Sequence, residues 1–177
     1  MQLEGDRMSI IVREMALAEV DLVIEYFHGS TPEYLDLLGV DPTRLPSPDV
    51  WRERFQTDLL LPLDERARYF LIWLQNGRPI GFSSCDKIVF GQRANMHLHI
   101  TEADLRQRGV GSGCVRLSVD TYFEKLKLKS LFCEPNAFNV GPNRTLQNAG
   151  FKYLKTHKTV PGMLNYHQAV TQWVIER

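Results

Sequence analysis

The dipeptide Asn76-Gly77 constrains this chain more than any other local feature, because it stands between two runs of β-forming residues. Tyr69 to Leu74 is continuously apolar on one side, and a second strand-like run begins at Ile80 on the other. Asn-Gly adopts positive φ easily at both centres of a two-residue turn whose twist suits antiparallel strands, so the spacing predicts a hairpin. A third strand, Ala94 to Ile100, extends the meander. It carries Met96, Leu98 and Ile100 on one face and Asn95, His97 and His99 on the other.

The flanking segments alternate helix and strand. A first strand is expected from Met8 to Arg13, then an amphipathic helix from Ala18 to His28 with Val20, Val23, Ile24 and Phe27 at helical spacing and Gly29 as its stop. Prolines interrupt residues 30 to 66, leaving helical pieces around Glu33–Leu38 and Asp49–Leu60, the latter with Ser47 as N-cap and Pro48 in its first turn. After three glycines, Val115, Val119, Tyr122 and Leu126 define a helix face. SLFCEP then reads as a short strand, NVGPNRTLQNAG as a helix, and FKYLKTHKTV and YHQAVTQWVIE as a closing pair of strands. The order β-α-α-β-β-β-α-β-α-β-β predicts an α/β chain, a mixed sheet with helices packed on it. With 44% hydrophobic and 24% charged residues, 177 residues suit one domain, 1–177.

Zero formal net charge gives no long-range attraction to nucleic acid or to an anionic membrane surface. Cys85, Cys114 and Cys133 are odd in number and lack C-x-x-C spacing, which argues against a disulfide framework and a structural zinc site. The N-terminus has no apolar leader, and no window reaches the ~18 apolar residues of a spanning helix. The expectation is a soluble, unprocessed cytoplasmic protein without a metal.

Gly109, Gly111 and Gly113 open a helix. Backbone stripped of side chains lets successive N–H groups approach a phosphate at the positive end of a helix dipole, with Arg106 and Arg108 beside it. A Walker A loop would need a lysine after the glycines, where Ser112-Gly113-Cys114 stands. A dinucleotide fingerprint would need G-x-G-x-x-G directly after a strand. A pyrophosphate cradle fits, as does a helix start whose small residues merely pack closely.

RQRGVG, Arg106 to Gly111, resembles the R/Q-x-x-G-x-G/A signature of the GCN5-related N-acetyltransferase (GNAT) superfamily, placed after the fourth strand as in that superfamily. EPNAFNVGPNRTLQNAGF is similar to its second hallmark, and QNGRPIGF to its second and third strands. The resemblance covers roughly residues 68 to 155. It implies the GNAT acyl-CoA N-acyltransferase fold, a mostly antiparallel sheet of about seven strands flanked by helices. It also implies acetyl-CoA as cosubstrate and transfer of its acetyl group to an amine.

By position, Arg106, Gln107, Arg108, Gly109, Val110 and Gly111 would wrap the pyrophosphate, with Ser112 donating its hydroxyl. Backbone groups of Ile100 and Thr101 would bond the pantetheine arm where the fourth strand splays from the next. Asn139 falls on the coenzyme-binding asparagine of the superfamily, with Asn143 as a second candidate that also suits a structural role.

Two departures matter. Many members carry a carboxylate base on the fourth strand, and this strand has His97 and His99 instead. Histidine accepts a proton near neutral pH, so His97 is the first candidate for the base and His99 the second, the alternative being local hydrogen bonding on the sheet. Many members also carry a tyrosine where this chain has Leu146, leaving Tyr153 or Tyr166 to reach the site from elsewhere. Cys114 and Cys133 read as core residues. Residues 30 to 66 hold eight acids against four arginines, so a negative mouth would attract a cationic amine. The expected acceptor is a small amine or a peptide N-terminus, a non-catalytic acetyl-CoA sensor is the alternative, and a homodimer through the last strands is implied by the resemblance.

Overall fold

The computed structural model describes residues 9–106 and 109–177. The strands are β1 (Ile10–Glu14), β2 (Tyr69–Gln75), β3 (Arg78–Val89), β4 (Arg93–Ile100), β5 (Ser130–Cys133), β6 (Lys152–Thr159) and β7 (Gln168–Glu176). The helices are α1 (Val20–His28), α2 (Pro32–Leu38), α3 (Pro48–Leu60), α4 (Val110–Leu126) and α5 (Val140–Asn148). Both pieces of the proline-rich segment form, so one more helix precedes β2 than the expected order contains. Met8 lies outside the described residues.

The strands form one sheet in the order β1-β2-β3-β4-β5-β7-β6, in which only β4 and β5 are parallel neighbours. Asn76 and Gly77 both have positive φ, 50° and 77°, and so make the β2–β3 turn that the dipeptide predicts. The apolar run of β2 is continuous because both its faces are covered. Leu71 and Trp73 pack with Val115, Val119, Tyr122 and Leu126 of α4 in one core. Ile72 and Leu74 pack with α1 and α3 in the other, against Val23, Phe27, Trp51 and Phe55.

Caps fix where the helices start. Thr31 Oγ1 accepts from the Tyr34 N–H, and Ser47 Oγ from that of Val50, with Pro32 and Pro48 in the first turns. Inside the first core, Trp73 Nε1 donates to Ser118 Oγ at 2.8 Å, and Ser83 Oγ lies 3.2 Å from Ser118 Oγ and 2.9 Å from the Tyr122 hydroxyl. This buried network of four side chains joins β2 and β3 to α4. Ser118→Ala removes the acceptor of a buried indole N–H and is expected to lower stability by about 1–3 kcal/mol in chemical denaturation. An unchanged midpoint would show that the network does not hold the helix to the sheet.

Candidate functional site

The site grows from the place where β4 and β5 part. Their parallel register runs from Arg93–Ser130 to Met96–Cys133 and ends there. The chain then follows β7: the Thr171 N–H donates to Pro135 O, Asn136 bridges Val170, and the Ala137 N–H donates to Ala169 O. The Thr101 N–H donates to Ile80 O on β3. Antiparallel pairs alternate, so the N–H and C=O of Ile100 and of Leu98 face the other way, toward the opening gap. A cleft of about 360 Å³ runs from this gap across the sheet face beneath α1 and α3.

His97 and His99 both line the cleft, in different surroundings. His99 is ringed by Tyr26, Phe27 and Phe82, with ring centroids 4.9 to 5.1 Å away, and its Nδ1 is 3.3 Å from the Tyr26 hydroxyl. Burial, then the charges of His97 and Arg106, push its pKa down to about 3. His99 is therefore neutral across the physiological range. His97 Nε2 lies 3.1 Å from Asp86 Oδ1, a buried atom that accepts no hydrogen bond among the described residues, so the two meet as an ion pair. Burial alone would lower the pKa of His97, but the Asp86 carboxylate outweighs it and holds the imidazole above its ordinary value. Burial alone would raise that of Asp86, and His97 and Lys87 hold it below. The two groups sustain each other as an ion pair.

The β6–β7 loop closes over this pair. Lys87 Nζ donates to Pro161 O at 2.8 Å, Arg44 to Asn165 O at 2.8 Å, and Asn165 Nδ2 to Gly39 O at 2.9 Å. A side chain at Gly162 would come within 3.2 Å of His97 Cε1.

At the other end of the gap, Gly109 is the N-cap of α4, with φ 79° and open space in front of it. Only glycine holds that conformation without strain. Gly111 differs: an added Cβ would lie 3.1 Å from Ile100 Cδ1, so its smallness serves packing. Val110 begins the helix and packs against the first core, and Ser112 is buried in the first turn. The Arg106 guanidinium bonds Ile100 O at 3.0 and 3.2 Å and lies 4.5 Å from the Tyr34 ring, turned back onto the end of β4. Thr101 Oγ1 is buried without a partner among the described residues. Gln107 and Arg108 lie outside the described residues.

Asn139 lines the cleft and makes no side-chain cap on α5. The Asn143 amide is internally engaged. It donates to Asn136 O and Asn139 O at 3.1 and 2.8 Å and accepts from Trp173 Nε1 at 2.9 Å and from Thr171 Oγ1. Leu146 is fully buried. Tyr153 bonds Thr156, Tyr166 bonds Asp36, and neither lines the cleft. Cys114 is buried, which pushes its thiol up to about 12, and the buried Cys85 and Cys133 are raised too.

The negative mouth expected of residues 30 to 66 does not form. None of their eight acids lines the cleft, whereas Arg54 does. Three of the acids pair with arginines, Asp41 with Arg44, Asp49 with Arg52, and Asp58 with Arg68. Sequence reading missed Asp86, the Leu98 backbone and Arg54. The hairpin register signals the first, since it pairs Ser84 with His97 and Asp86 with Asn95, setting Asp86 diagonally beside His97.

The low pKa of His99 has a consequence for stability. Unfolded chains bind a proton at this residue below about pH 6.5 and the folded one does not, so stability falls as pH drops from there toward 3. His99→Phe is expected to make this loss shallower by up to ~1.4 kcal/mol per pH unit, read from denaturation midpoints at pH 7, 6 and 5. An unchanged slope would contradict the neutral histidine.

Residues 10–152 match the family model described as the acetyltransferase (GNAT) domain. A comparison with curated protein sequences returned no match. Among solved structures, the chain is similar to an aminoglycoside acetyltransferase, AAC(6')-Ib, in complex with coenzyme A, with a TM-score of 0.71 and 18% identity over 96% of this chain and 95% of that one. It is also similar to the spermidine N-acetyltransferase of Vibrio cholerae in complex with CoA and spermine, with a TM-score of 0.76 and 13% identity over 94% and 95% of the two chains. A third is the ribosomal-protein-S5-alanine acetyltransferase of Vibrio fischeri, with a TM-score of 0.74 and 14% identity over 99% and 97%.

Proposed function

The chain belongs to the GNAT acetyltransferases, and from that premise we propose that it transfers an acetyl group from acetyl-CoA to a primary amine, with His97 as the general base. The observation that carries this reading is the His97–Asp86 pair, which lies in the same cleft as the β4–β5 gap.

Acetyl-CoA fits the residues present. The inward-facing backbone of Leu98 and Ile100 suits the amides of a pantetheine arm, and the orphaned Thr101 hydroxyl lies at the end of the same strand. The open approach to Gly109 suits a pyrophosphate at the start of α4, with the first-turn N–H groups and the α4 dipole favouring the anion. Asn139, on the wall of the gap, completes this set, while Asn143 holds the loop that carries Asn139. Arg106 would reach the phosphates by leaving Ile100 O, which frees that carbonyl for the arm. Gln107, Arg108, Val110 and Ser112 join the phosphate set by position in the motif. The bound thioester supplies the acetyl group.

The rest is acid–base work by the chain. A primary amine attacks only when neutral, and one proton must leave its nitrogen as the new amide forms. The Asp86 carboxylate beside Nε2 favours a proton there, which leaves the lone pair of His97 on Nδ1 to take the proton of the amine. The same proton is then available to the departing thiolate, since Leu146 offers no phenol. Asp86 acts through His97 by fixing its tautomer and raising its basicity, and the aromatic ring around His99 keeps this end of the cleft apolar. A homodimer through β6 and β7 belongs to the same reading, and so does residence in the cytoplasm; among the described residues no helix is long and apolar enough to cross a membrane.

The test is thiol release from acetyl-CoA over a panel of amines as a function of pH. The expected kcat/KM rises through an inflection above pH 6.5 as His97 loses its proton. Asp86→Asn moves that inflection down, because the charge that raises it is gone. His97→Gln removes the inflection and lowers the rate by about 10²–10⁴ while acetyl-CoA still binds. A pH profile identical in wild type and His97→Gln would exclude the histidine as base. Coenzyme binding without thiol release from any amine would favour a sensor.

A further inference from the structure

The charges on the cleft wall select among amines. Besides the thiols of Cys85 and Cys133, which burial keeps protonated, six ionisable side chains line it: Arg54, Arg68, Asp86, His97, His99 and Glu134. Asp86 faces His97. Glu134 accepts from His157 Nε2 at 3.0 Å, Gln172 Nε2 at 2.9 Å and Asn95 Nδ2 at 3.4 Å. Arg68 pairs with the buried Asp58 at 2.7 Å. His99 is neutral. Arg54 alone has no partner among the described residues, although Arg44, Arg52 and Arg66 each have an acid within 3.5 Å.

Arg54 also sits where an acceptor would lie. On α3 it shares a face with Trp51 and Phe55, which line the cleft with Phe27, Phe70 and Phe82. An unmatched guanidinium beside an aromatic wall suits a molecule with an apolar body and one anionic group. The carboxylates there are already engaged, Asp86 beside His97 and Glu134 by three donors.

We propose that the acceptor half of the cleft binds an apolar primary amine that carries a carboxylate, as a hydrophobic amino acid does, with Arg54 holding the carboxylate and the aromatic wall the side chain. The proposal rests on the transferase reading above. It adds that recognition comes from Arg54, with the amine, borne on the same carbon as the carboxylate, turned toward His97.

The test compares kcat/KM for L-phenylalanine, L-phenylalaninamide, phenethylamine and spermidine in wild type, Arg54→Gln and Arg54→Lys. Phenylalanine is expected to exceed phenylalaninamide and phenethylamine by about ten- to hundred-fold in wild type, the usual worth of a hydrogen bond to a charged group. Arg54→Gln collapses the ratio toward one, and Arg54→Lys restores part of it. The acceptors' differing basicities are common to all three proteins and cancel in that comparison. A preference for spermidine, or a preference for phenylalanine that survives Arg54→Gln, overturns the proposal. Thiol release from none of the amines would defeat the transferase reading instead. Calorimetric binding of phenylalanine and phenethylamine to the CoA-saturated proteins then decides the role of Arg54 separately, with the same ratio expected in wild type and its absence counting against the proposal.

Discussion

The whole arrangement depends on where the chain goes after Cys133. Pro135 has no N–H to give a ladder, and its carbonyl accepts from Thr171 on β7. β5 therefore stays with β7 and leaves β4 after a register of four residue pairs. Backbone N–H and C=O groups seldom stay unpaired away from water, so an interior strand edge like that of Leu98 and Ile100 calls for a partner. An extended arm bearing amides satisfies such an edge as a missing strand would.

The same divergence opens the sheet face on which the His97–Asp86 pair sits. His97 sits one strand over from Asp86, in a cleft covered by the β6–β7 loop. Neighbouring positions on β4 thus have opposed electrostatics. A carboxylate next to His97 makes it a stronger base, and an aromatic ring around His99 keeps it neutral. Two histidines of one sequence motif differ through what β3 and α1 set beside them, a carboxylate beside His97 and aromatic rings around His99.

Much of the fold is legible in the sequence because its signals are local. Asn76-Gly77 fixes a turn, Ser47-Pro48 a helix start, and the spacing of Val115, Val119, Tyr122 and Leu126 a buried face. Gly109 is legible as a backbone requirement, whereas Gly111 looks the same in sequence and serves contact with Ile100. What escaped depends on partners distant in the chain. The acids of residues 30 to 66 counted as a field, but each arginine nearby can cancel one, and only the fold tells that Arg54 does not. Asn143 shows the same limit, since its bonds to Trp173 and Thr171 come from β7, about thirty residues on in sequence.

Amide hydrogen exchange, followed residue by residue with and without CoA, tests the central claim most directly. If the gap holds the pantetheine arm, the Leu98 and Ile100 amides gain protection together with the first turn of α4 from Gly111, while the Thr101 amide, already bonded to Ile80, changes little. Protection absent from Leu98 and Ile100 in a protein saturated with CoA would place the coenzyme elsewhere and contradict the account.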